Sequence, residues 1–81
     1  MRNTKIMLSF INHIVSIYDD DFEINRVIQH EEYDYRYKVI TKCCDYTLII
    51  MHTHNNTLCV RWEDDIYHCV DGEWRLVGTF Y

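Results

Sequence analysis

Eighty-one residues make one small domain and leave no room for a second core. The net charge of -5 is moderate, below what a dedicated nucleic-acid mimic carries, and the four cysteines show no C-x-x-C spacing of the kind zinc sites use. A chain this short buries only roughly 60–65% of its unfolded surface, so the seven Tyr, three Phe and two Trp must supply much of the core.

In chain order, residues 4–18 form an amphipathic pattern. Ile6, Met7, Phe10, Ile11, Ile14, Ile17 and Tyr18 recur at helical spacing, and Ser9, Asn12, His13 and Ser16 share the opposite face. Asn3 or Thr4 is the expected N-cap. The Asp19-Asp20-Asp21 run ends the helix, because anions are unfavourable at the negative end of its dipole. Arg2 and Lys5 ahead of an apolar run resemble a secretion signal, but Asn12 and His13 interrupt it and no small-residue cleavage site follows. The run is also too short to span a bilayer. A cytoplasmic protein is expected, with free thiols and no membrane association.

Residues 22–29 fit two patterns. Asp20 with Glu23 can open a second helix as a capping box, or Phe22, Ile24 and Ile28 can line one side of a strand. The strand is preferred, since a two-residue turn at Glu31-Glu32 then sets Ile28 opposite Tyr35 and Ile24 opposite Val39. Residues 33–43 alternate clearly, with Tyr33, Tyr35, Tyr37, Val39, Thr41 and Cys43 on one side. Four further strands follow, at about 47–54, 57–63, 66–71 and 73–80, separated by turn-type pairs at Asn55-Asn56, Asp64-Asp65 and Asp71-Gly72. Two-residue turns at those pairs place Ile49, Met51, Leu58, Val60, Trp62, Tyr67, Cys69, Trp74 and Leu76 on one face. A three-residue loop at Cys44-Asp45-Tyr46 is then needed to bring the Tyr35/Tyr37/Val39 set to that same face. The expected fold class is α+β: one N-terminal helix packed on an antiparallel β-meander of five to six strands.

That register leaves Lys38, Arg61, His68 and Arg75 on the outer sheet face, with Ile50, Leu48 and Cys59 among them. A basic open sheet suits RNA or single-stranded nucleic acid, but stacking needs exposed aromatics, and the aromatics point inward. The carboxylates gather in turns instead. Glu31, Glu32 and Asp34 flank Tyr33 and Tyr35 in one group, and Glu63, Asp64 and Asp65 form another. Acidic rims with tyrosine anchors suit a basic protein partner.

His52, His54, Cys59 and His68 match no established zinc spacing, so neither metal nor cofactor is expected. Cys59 beside His52 is a conceivable nucleophile pair, yet no oxyanion hole or glycine-rich loop accompanies it, and no enzyme is expected. There is no Pro and no Ala, while Ile, Asn, Asp and Tyr are abundant, a bias that AT-rich phage and viral genomes share. The expectation is a small binding protein, monomeric or homodimeric, that occupies a partner's surface. In a viral setting it would be an accessory protein in the host cytoplasm that inhibits or modulates a host protein. Nucleic-acid binding through the basic face is the alternative.

Overall fold

The computed structural model describes residues 2–18, 22–52 and 57–79. One helix, α1 (Arg2–Ile17), is followed by six strands: β1 (Ile24–Gln29), β2 (Arg36–Thr41), β3 (Asp45–His52), β4 (Leu58–Trp62), β5 (Asp65–Val70) and β6 (Glu73–Thr79). The strands form one antiparallel sheet in sequence order, a plain meander with α1 across one face. The α+β expectation holds, and residues 24–29 are a strand.

The helix buries Met7, Phe10, Ile11 and Ile14 against Tyr37, Val39, Leu48, Ile50, Val60, Trp62, Tyr67 and Trp74. Phe10 is the centre of this contact: its ring meets Trp62, Tyr67 and Trp74 at centroid distances of 5.8, 5.0 and 5.2 Å. Each indole N–H needs an acceptor once buried. Trp62 Nε1 donates to the Tyr18 hydroxyl at 3.0 Å and Trp74 Nε1 to Ser9 Oγ at 3.1 Å. Two tryptophans thus tie the middle of the helix and the residue just past its end to the sheet. Asn3 and Thr4 lie inside the helix rather than capping it, and Asn3 Nδ2 donates to the Asp34 carbonyl. The Asp19–Asp21 run, the Asn55-Asn56 pair and His54 lie outside the described residues.

The register corrects several expectations. Leu48 and Ile50, not Ile49 and Met51, face the core, because β3 pairs with β4 as Leu48↔Trp62 and Ile50↔Val60. The pairing of His52 with Leu58 sets this parity, one residue away from the expected one. This parity change removes the need for a loop at 44–46. The β2–β3 connection is a tight turn at Lys42-Cys43, closed by Thr41 N–H donating to the Cys44 carbonyl at 2.9 Å. Tyr37, Val39 and Thr41 then join Tyr46, Leu48 and Ile50 on the helix side.

The first hairpin also differs. Ile28 pairs with Lys38 and Val27 with Val39, and a bulge between Ile24 and Arg26 lets Ile24 and Val27 both face inward. The connection is the longer segment 31–35. Tyr33 and Tyr35 therefore stand outside the core, each 41% exposed. The β4–β5 turn is Glu63-Asp64, one residue earlier than expected, with Glu63 at φ 54° and Asp65 already in the strand. Faces are unchanged by that shift. The Asp71-Gly72 turn forms as expected, both residues at positive φ (53° and 81°) as a type I′ hairpin requires. Leu76 shares the inner side with Trp74 but lies on the edge strand and is 58% exposed.

Candidate functional site

A meander puts alternate connections at the same end of the sheet. Segment 31–35 and the Asp71-Gly72 turn share one end; the Lys42-Cys43 and Glu63-Asp64 turns share the other. The two acidic groups are therefore separate surfaces at opposite ends.

At the first end, Glu31, Glu32, Tyr33, Asp34 and Tyr35 are all exposed. The segment is nonetheless held in one conformation. His30 N–H donates to the Arg36 carbonyl at 2.8 Å, Arg36 N–H to the Tyr33 carbonyl at 3.2 Å, and Ile50 N–H to the Tyr35 carbonyl at 2.8 Å. The imidazole of His30 accepts the Glu32 N–H through Nδ1 at 3.1 Å, which fixes its proton on Nε2 when neutral. Its ring packs on Tyr33 (5.0 Å between centroids), and Tyr33 packs on Tyr35 (5.4 Å). The result is a row of three rings with carboxylates around it. Every other described Phe, Tyr or Trp is buried or packed against the core cluster. Next to the row, an open groove of about 600 Å³ has Ile28, His30, Glu31, Glu32, Arg36 and Lys38 among its lining.

At the second end, Glu63, Asp64 and Asp65 are engaged within the fold. Glu63 Oε1 accepts the Thr47 N–H at 3.0 Å, Asp64 pairs with Arg61 at 3.8 Å, and Asp65 lies in the strand opposite Trp62. Beside them, the Tyr46 phenol neighbours Cys44. That contact holds the Cys44 thiol below its ordinary range and pushes the Tyr46 phenol up to about 12. Burial contributes to the rise at Tyr46, whose ring stacks on Trp62 at 4.7 Å and 11°.

The outer sheet face carries Arg26, Arg36, Lys38, Arg61, His68 and Arg75. Arg61 and His68 are diagonal rather than directly opposite: the rows are Arg36, Ile49, Arg61, Ile66 and Met51, Cys59, His68, Arg75. Arg61 Nε donates to the Glu63 carbonyl, and Arg75 pairs with Glu73 at 3.3 Å. No Phe, Tyr or Trp ring of a described strand faces this side. His52 and Cys59 point to opposite faces, since Cys59 pairs with Met51. Burial pushes the Cys59 thiol up, the wrong direction for a nucleophile. Among the described residues no three metal-ligating side chains converge, and no helix is long and apolar enough to cross a membrane.

Comparison of the chain with protein-family models, with curated proteins and with solved structures gives no match. Function must therefore be argued from the residues themselves. Two features were missed in the sequence. His30 joins the tyrosine row only because the connection is longer than two residues. Cys43 and Cys44 meet only because the turn falls at 42–43.

Proposed function

We propose that this chain is a small, non-enzymatic binding protein that docks a basic surface of a protein partner on segment 30–35. The observation that carries the proposal is the exposure of Tyr33 and Tyr35 in a fold that uses every other described aromatic ring in packing. Tyrosine supplies contact area at low entropy cost, and a segment already fixed by backbone hydrogen bonds loses little freedom on binding. Glu31, Glu32 and Asp34 around the rings give electrostatic complementarity to Lys and Arg. In a viral or phage setting, such a protein inhibits a host factor by covering its basic site.

The test is capture of partners by the tagged full-length chain from lysate, with and without nuclease, comparing two charge-reversed variants. Glu31→Lys/Glu32→Lys/Asp34→Lys places like charges against a basic partner, at a cost on the order of a few kcal/mol, and should abolish capture. Asp45→Lys/Asp64→Lys changes the opposite end and should leave capture intact. Equal capture by wild type and the first variant would sink the proposal. A partner lost on nuclease treatment would move the function to the outer sheet face.

A further inference from the structure

We propose that Cys43 and Cys44 form a two-thiolate chelating site for a soft d10 metal cation of the cadmium or copper(I) kind. Side chains of consecutive residues in an extended strand point to opposite faces. At the Lys42-Cys43 turn they converge instead, with the sulfurs 3.7 Å apart and both residues exposed. Two thiolates on one tetrahedral d10 cation, at the zinc–sulfur bond length of about 2.3 Å, stand about 3.8 Å apart, and a larger cation asks slightly more. The pair already has that spacing.

The turn that creates it is fixed by one side chain. Thr41 is buried; its N–H and hydroxyl both donate to the Cys44 carbonyl, at 2.9 and 2.7 Å, and its Oγ accepts the Cys44 N–H at 3.2 Å. Thr41 Oγ also lies 3.7 Å from the Cys43 sulfur. Oxidation to a disulfide is opposed by geometry. Neighbouring Cα atoms are about 3.8 Å apart, closer than the usual disulfide range of about 4.4–6.8 Å, so a Cys43–Cys44 bridge would be strained and easily reduced. The stable form is the dithiol, which binds the soft cation by forming two metal–sulfur bonds and releasing two protons. With no third ligand converging among the described residues, the rest of the shell is solvent. Such a site suits soft ions that bind thiolates strongly and gives nothing to magnesium or calcium.

The experiment is titration of the reduced full-length chain with Cd²⁺, followed by thiolate-to-cadmium charge-transfer absorption and equilibrium dialysis, with circular dichroism to verify folding of each variant. Saturable binding is expected. Cys43→Ser and Cys44→Ser should each weaken it by about 100-fold or more, because the second thiolate acts at high effective concentration. Cys59→Ser and Cys69→Ser should leave it unchanged, and excess Mg²⁺ should not compete. The proposal is overturned by absent binding, by unchanged affinity in either single variant of the pair, or by loss in Cys59→Ser or Cys69→Ser.

Discussion

Tyr46 shows how one neighbouring side chain shifts the chemistry of two groups. Its hydroxyl contact with Cys44 favours the neutral phenol and the thiolate together. The folded phenol titrates at about 12 against an ordinary value of 10.0. Between those values the unfolded chain has lost the proton and the folded one keeps it, so the folded state binds more protons and stability falls as pH rises. This contribution is fully present below pH 10 and lost by about pH 12. Tyr46→Phe should flatten the decline of the urea midpoint across that window, although Tyr67, also pushed up by burial, keeps part of the slope. In Cys44→Ser, spectrophotometric titration should show one tyrosine ionising earlier. An unchanged tyrosinate curve would mean the contact does not form in solution.

At the scale of elements, the turns divide into those written locally and those imposed from outside. Asp71-Gly72 was legible because a type I′ hairpin needs two positive φ angles and this pair supplies them. Gly72→Ala isolates that requirement: an added Cβ meets nothing within 4 Å, so the cost is the backbone conformation alone. It should lower stability by about 1–2 kcal/mol, read by chemical denaturation. A change below a few tenths would show that the turn relaxes to another type. The Trp62-Glu63-Asp64-Asp65 stretch offers two acidic pairs with equal local claim, and only pairing of Trp62 with Asp65 selects Glu63-Asp64. Strand β3 was degenerate in another way. Leu48/Ile50 and Ile49/Met51 are equally apolar, so alternation cannot choose the buried set. Leu48 and Ile50 prevail because their side also carries Tyr46, which stacks on Trp62.

At the scale of the molecule, one helix covers six strands, and the cover is concentrated where Phe10 enters the aromatic cluster. Phe10→Ala should cost about 3–5 kcal/mol. A chain of this size has roughly 4–12 kcal/mol of total stability, so the variant should be close to unfolding at ordinary temperature. Retention of the wild-type denaturation midpoint would show that the helix does not seat there.

The sequence by itself determined the order of elements, the amphipathic helix, the Asp71-Gly72 hairpin and the gathering of acids at turns and strand ends. Each depends on periodicity or on the backbone preferences of two or three neighbouring residues. Only the tertiary structure decided the side of β3 that is buried, the length of segment 31–35 and the position of the 42–43 turn. Those depend on which strands can pair while keeping Tyr37, Val39, Leu48, Val60 and Trp62 under one helix, and a one-residue slip anywhere reverses a face. Both candidate sites, the His30–Tyr33–Tyr35 row and the Cys43–Cys44 pair, arise from that choice, because long-range pairing sets where each strand stops and its connection begins.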